Sequence, residues 1–215
     1  LPEFKSKPYV HMTWDIMRKF GIRSIKSYYL KHDSCNREHQ SCRIDEFKIP
    51  KQEYVACDYT VEGDYSSASY LLALIAINGG SARIKNLFRT SKQGDRFILD
   101  ILQKMGATIV RGEDYVEIAS GGNLKAIDVD LSNAPDLLIT VAVLAAMAEG
   151  TSNITGVAHA RLKETDRIDT TCRELEKLGC KLEEHEDGMS ITGGISSGTV
   201  DSLNQIGRAS CRERV

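Results

Sequence analysis

The chain has 215 residues, 41% of them hydrophobic and 27% charged, the composition of a globular protein able to bury a core of ordinary size. With 28 basic against 30 acidic residues its formal net charge is −2, which gives no overall field to recruit nucleic acid or an anionic lipid surface, so any anion must be met by a local cluster. The longest apolar stretch, 137–148, is broken by Thr140 and falls short of the roughly 20 residues a span needs, so neither nucleic acid nor membrane is an expected partner.

In chain order, the opening Leu1-Pro-Glu-Phe-Lys5 has no initiator Met and no basic-then-apolar signal, and reads as cut from something longer. A helix is expected to end in Asp15-Ile-Met-Arg-Lys-Phe-Gly-Ile22. Residues 31–53 are polar, charge-rich and aperiodic, and read as a hairpin plus a linker, with a lobe boundary at 59–64. An apolar helix over 66–78, closed by Gly80, leads to a strand over 82–87. A further helix ends in Asp100-Ile-Leu-Gln-Lys-Met-Gly-Ala107, and Gly112-Glu-Asp-Tyr-Val-Glu-Ile118 reads as a hairpin with Glu-Asp at its tip. The order then recurs: an apolar helix over 135–149 closed by Gly150, a strand over 152–157, a helix ending in Arg173-Glu-Leu-Glu-Lys-Leu-Gly-Cys180, and a hairpin over His185-Glu-Asp-Gly-Met-Ser-Ile191. The spacing thus predicts an α/β fold of repeated units, each helix, strand, helix, strand, strand. Three helices end in Lys, a bulky apolar residue and Gly, and that Gly suits the positive φ of a helix C′ position.

Six cysteines, at positions 35, 42, 57, 172, 180 and 211, form no CxxC pair and no zinc-type spacing, so no metal site is expected. Cys172 and Cys180 fall in helix and strand patterns, where a reduced thiol behaves as a small hydrophobe. A reducing cytoplasm is the expected compartment.

Two helix openings in the last unit stand apart: Asn133-Ala-Pro-Asp136, and Lys163-Glu-Thr-Asp-Arg167. Helices starting side by side turn their free N–H groups and positive dipole ends one way, which makes a shared anion site. Lys163 and Arg167 oppose the dipole at such a start, and a bound anion would offset that cost. Taken singly, each residue also has an ordinary structural role. Asp136 after Pro135 is a normal first-turn acid, Glu164 and Asp166 can compensate a dipole, Thr165 can be an N-cap, and Ser66 and Ser67 resemble caps. His159 reads as a polar residue at a strand end.

The segments Val61-Glu-Gly-Asp-Tyr-Ser-Ser-Ala-Ser-Tyr70, Asn133-Ala-Pro-Asp136 and Arg161-Leu-Lys-Glu-Thr-Asp-Arg167, with Ser6-Lys-Pro-Tyr9 near the start, resemble the enolpyruvyl-shikimate-phosphate synthase family. The match runs in order from about residue 5 to residue 202. The resemblance implies two lobes of the inside-out α/β barrel-like type, three units in each, closing over substrates at their interface. Residues 1–60 would end the first lobe, 61–202 would supply two units of the second, and 203–215 would be a non-native tail. It further implies transfer of the enolpyruvyl group of phosphoenolpyruvate to the 5-hydroxyl of shikimate 3-phosphate, without metal or organic cofactor, by an enzyme that is a monomer when full length. By the same resemblance Asp136 is the base that accepts the hydroxyl proton and Glu164 the acid that protonates the methylene carbon. Arg167 binds phosphoenolpyruvate, where its planar fork suits an anion. Ser6, Tyr9 and Lys163 are ligands of shikimate 3-phosphate, as is His159, at a position where some members carry Asn.

The family's N-terminal lysine and arginine ligands, its Ser-Ser-Gln stretch, and its later Asp-His-Arg and Lys motifs have no counterpart in this sequence. By that comparison the chain holds half a site and is expected to be inactive alone. Two alternatives are an enolpyruvyl transferase acting on UDP-N-acetylglucosamine and a non-catalytic repeat module; the Lys-Glu-Thr-Asp-Arg string favours the shikimate substrate.

Overall fold

The computed structural model describes residues 5–23, 26–29 and 44–201, and side chains within these outside 24–47. Helix α1 (Lys7–Lys19) is followed by an antiparallel pair, β1 (Lys26–Tyr29) and β2 (Ile44–Lys48). An antiparallel pair is thus present, but its first strand precedes the 31–53 stretch in which the sequence reading placed a hairpin and linker; residues 30–43, and the proposed tail at 203–215, lie outside the described residues.

The next unit runs α2 (Tyr65–Asn78), β3 (Gly80–Lys85), a 3₁₀ turn (Gly94–Phe97) leading into α3 (Ile98–Lys104), β4 (Thr108–Arg111) and β5 (Tyr115–Ser120). After β6 (Asp128–Asp130) the order repeats: a 3₁₀ turn (Pro135–Leu137) into α4 (Leu138–Ala146), β7 (Thr151–Thr155), a 3₁₀ turn (Ala158–Leu162), α5 (Arg167–Lys177), β8 (Lys181–His185) and β9 (Gly188–Thr192). The sheets agree in topology, β3-β5-β4 against β7-β9-β8, with each last strand central and antiparallel to both neighbours. Strand β6 adds a parallel edge to the second sheet, Val129 opposite Ile154. Sequence patterning missed it because three residues with one buried side chain, Val129, show no period.

The three Lys-apolar-Gly strings close equivalent helices. Lys19, Lys104 and Lys177 end α1, α3 and α5, and Gly21, Gly106 and Gly179 have φ of 89°, 111° and 79°. Each Gly N–H returns to the carbonyl three residues back, and the next N–H, from Ile22, Ala107 or Cys180, returns five back, at 2.9–3.2 Å. This paired closure satisfies carbonyls that the helix end leaves orphaned, and the left-handed residue it needs is cheapest as Gly.

Several boundaries differ from the sequence expectation. Gly79, not Gly80, closes α2, and β3 begins at once at Gly80, two residues early. The helix expected over 135–149 is a 3₁₀ turn followed by α4, ending at Ala146. Asp64, rather than Ser66 or Ser67, caps α2 and accepts from both serine N–H groups at 2.9 and 3.1 Å. Asp166, rather than Thr165, caps α5 and accepts from Ile168 and Asp169 N–H at 3.1 Å. In both cases a carboxylate beats a neighbouring hydroxyl, since it takes two N–H groups at once and suits the dipole.

Helices α2 and α4 form the centre. Leu72, Ala76, Val141, Leu144 and Ala145 are fully buried, and Ser69 meets Thr140 in a buried hydroxyl pair at 3.1 Å. Both helices are apolar nearly all round, and Tyr70, Leu71 and Leu74 of α2 lie more than half exposed. The start of α1 docks where the two units meet: Ser6 N–H donates to the Ser132 carbonyl at 3.0 Å. Gly94 sits beneath it, where a Cβ would come within 2.5 Å of the Asn133 carbonyl and 3.2 Å of Pro8 Cβ. That close approach brings α1 onto the openings of α3 and α4.

Candidate active site

Three local devices converge at this junction. Pro135 occupies the first helical position, where its missing N–H costs nothing, and places Asp136 in the opening turn of α4. The cap at Asp166 starts α5 at Arg167. Lys163 and Glu164 therefore stand in the connection just before the helix. The αL conformation of Ser6, φ 59°, turns the chain into α1 and carries Tyr9 toward Asp136.

Arg167 joins the cluster. One guanidinium nitrogen, Nη1, donates to Asp136 Oδ1 at 2.7 Å and the other, Nη2, to Glu164 Oε1 at 2.7 Å. Lys163 Nζ lies 3.9 Å from the same Asp136 oxygen, and the Tyr9 hydroxyl donates to Asp136 Oδ2 at 2.8 Å. The Arg167 side chain is 13% exposed against 51% for Glu164, so the cation is the anchored partner and the acid the accessible one. Burial pushes the Asp136 carboxyl up, but hydrogen bonds from Tyr9 and Arg167 and the charges of Lys163 and Arg167 outweigh it and hold it below the usual range. Burial of Arg167 disfavours its charge, yet Glu164 and Asp136 more than compensate. At this site the buried His159 Nε2 and Arg167 Nε have no hydrogen-bond partner among the described residues, and each could take a partner from outside the chain.

His159 lies in the 3₁₀ turn after β7. Burial, then the charges of Lys163 and Lys5, push it below the usual imidazole range against a smaller pull from Asp187 and Asp136, which favours the neutral ring. Ser6 sits on the Ser132 carbonyl through its N–H, and its side chain makes no capping bond. All seven expected residues thus lie on the α1 start, the α4 opening, the β7–α5 connection or the first residue of α5. Tyr9, Lys163 and Arg167 each meet Asp136, and Arg167 also meets Glu164.

The connection is held from below by the β8–β9 hairpin. Asp187 accepts from Gly156 and Ala158 N–H at 3.0 and 2.7 Å. Arg161 donates to the Glu186 and His185 carbonyls at 3.0 and 2.6 Å and pairs with Asp166 at 2.8 Å and Glu184 at 2.7 Å. Sequence reading gave Arg161 and Asp187 no role, although Arg161 belongs to the crowded string and Asp187 to the expected hairpin tip. Asp95 was also missed: it is 2% exposed beside Tyr9 and Ser66. Among the described residues no group of His, Cys, Asp and Glu could hold a metal ion, and no helix is long and apolar enough to cross a membrane. Cys172 and Cys180 are buried free thiols, and burial pushes Cys172 up to about 12.

The sequence profile of the EPSP synthase (3-phosphoshikimate 1-carboxyvinyltransferase) family matches residues 1–210. The 3-phosphoshikimate 1-carboxyvinyltransferase of Methanobrevibacter smithii is 72% identical over 202 residues, 94% of this chain and 46% of that protein. Its counterpart from Methanothermobacter thermautotrophicus is 51% identical over 92% of this chain and 43% of its own length. Among solved structures, EPSP synthase from Acinetobacter baumannii superposes with a TM-score of 0.63 at 27% identity, over 87% of this chain and 41% of that one. The enolpyruvyl transferase NikO from Streptomyces tendae shares the fold at 17% identity, with a TM-score of 0.56, over 89% of this chain and 41% of its own. The chain spans under half the length of the curated relatives it matches.

Proposed function

Because the chain belongs to the EPSP synthase family, we propose that it forms part of an enzyme transferring the enolpyruvyl group of phosphoenolpyruvate to the 5-hydroxyl of shikimate 3-phosphate, with release of phosphate. The observation that carries this reading is Arg167 lying between two carboxylates, Asp136 and Glu164, each 2.7 Å away. In the proposed reaction the hydroxyl oxygen bonds to the enol carbon, its proton passes to Asp136, and Glu164 gives a proton to the methylene carbon. Loss of phosphate and of one methyl proton then restores the double bond in the product. Arg167 and Lys163 supply the positive charge both anionic substrates need, and Ser6, Tyr9 and His159 supply polar contacts to shikimate 3-phosphate. No metal or organic cofactor enters this scheme. The sugar-nucleotide alternative is not favoured, since the relatives at 72% and 51% identity are both 3-phosphoshikimate 1-carboxyvinyltransferases.

The test uses a full-length protein carrying this segment, with phosphate release measured while each substrate is varied. Asp136→Asn and Glu164→Gln keep shape and lose the proton function, so each is expected to lower kcat by about 100-fold or more while changing KM little. Near-normal turnover in either variant removes that residue from its role.

A further inference from the structure

Asp95 is a buried acid, 2% exposed, and among the described residues it has no ion-pair partner. A buried carboxylate without a cation is costly unless hydrogen-bonded, and two hydroxyls serve it. Ser66 Oγ donates to its Oδ2, while its Oδ1 lies 3.5 Å from the Tyr9 hydroxyl. That same hydroxyl is 2.8 Å from Asp136 Oδ2. One O–H cannot serve two acceptors fully, and at 3.5 Å the second bond is weak. We propose that Asp95 is a positioning residue for Asp136, acting through the shared Tyr9 hydroxyl, so that the charge on Asp95 sets how readily Asp136 takes up a proton.

The groups facing this pair come from every element around it. Asp95 sees Asp64 and Ser66 at the start of α2, Tyr9 of α1, and Asp136 of the α4 opening. Asp136 sees Tyr9, and Arg167 and Lys163 from the α5 side. Burial pushes Asp95 up; the Ser66 bond opposes this, the charges of Asp136 and Asp64 add to it, and the Tyr9 bond opposes it. Asp136, crowded by cations and a donor, is held low, the wrong direction for a base. Asp95 supplies the counterweight. While Asp136 is ionised Tyr9 points to it; once Asp136 takes a proton, the Tyr9 hydroxyl can turn to the ionised Asp95, and the repulsion between the two acids is relieved. Both changes favour a protonated Asp136.

This inference rests on Asp136 being the base, but its test does not need turnover. Aspartate side-chain carboxyl carbons are followed by NMR against pH in the 215-residue chain, with circular dichroism as the check on folding. Asp95, pushed up, takes its proton at higher pH than Asp136, held low, and the coupling between two acids is reciprocal, so it is read on Asp95: Asp136→Asn is expected to lower the Asp95 midpoint by about half a unit, and by clearly less in a Tyr9→Phe background. An unmoved Asp95, or an equal shift without the Tyr9 hydroxyl, overturns the proposal. Should Asp136→Asn fail to fold, Tyr9→Phe alone carries the test: both Asp95 and Asp136 should move upward, and movement of Asp136 alone means the hydroxyl is not shared. In the full-length enzyme Asp95→Asn should lower kcat at neutral pH, and by less in the Tyr9→Phe background. A coupling seen by NMR without a loss of kcat preserves the link and instead counts against Asp136 as base.

Discussion

At the scale of single residues, Arg167 ties the cluster together. Its fork holds two carboxylates at 2.7 Å each, a geometry a lysine ammonium cannot reproduce because it is a point charge on a flexible stem. Arg167→Lys is therefore expected to raise KM for phosphoenolpyruvate about tenfold or more, with a smaller change for shikimate 3-phosphate; steady-state kinetics with each substrate varied in turn reads the difference. That Lys163 and Arg167 mark an anion site was legible in sequence because cations beside a helix opening are locally unfavourable, whereas Asp136 and Glu164 read as ordinary helix-start acids until the family resemblance singled them out. Asp95 was not legible. In Gly94-Asp-Arg-Phe97 it looks like any first-turn acid, and its partners Ser66 and Tyr9 are 29 and 86 residues away.

At the scale of elements, the β7–α5 connection presents Lys163 and Glu164 but is placed by a different element. The β8–β9 hairpin grips it through Arg161, which meets two carbonyls and two carboxylates with its side chain 24% exposed. Arg161→Ala leaves those acceptors short of a donor and loosens the Asp166 cap, and is expected to cost about 1–3 kcal/mol. Urea unfolding monitored by circular dichroism measures this, and Arg161→Lys should recover only part, because one ammonium cannot span the four acceptors. The repeat of helix, strand, helix, strand, strand was readable since apolar helices and Lys-apolar-Gly closures are local signals. The caps at Asp64 and Asp166 were not separable from Ser66 and Thr165, which are also common capping types. Strand β6 carries too few residues for any pattern, and only its pairing with β7 reveals it.

At the scale of the whole molecule, two stacked units share one core, and α1 crosses onto their junction. Helices α2 and α4 are apolar on almost every side, a trait of helices packed all round, and the relatives, more than twice as long, have further chain with which to cover Tyr70, Leu71 and Leu74. The junction also links binding to acidity. Arg167 gives one N–H from each Nη to the protein's own acids and keeps further N–H donors for an anion. A phosphate or carboxylate arriving there sets a negative charge beside Asp136, which raises its pKa. A group whose pKa is higher in the complex takes up protons on binding, so affinity should strengthen as pH falls toward the Asp136 range and weaken above it. Titration calorimetry of the full-length enzyme with phosphoenolpyruvate and shikimate 3-phosphate, in buffers of different ionisation enthalpy, should register net proton uptake. On this expectation the charges gathered at Arg167 would make the solvent proton a co-ligand of any anion bound there.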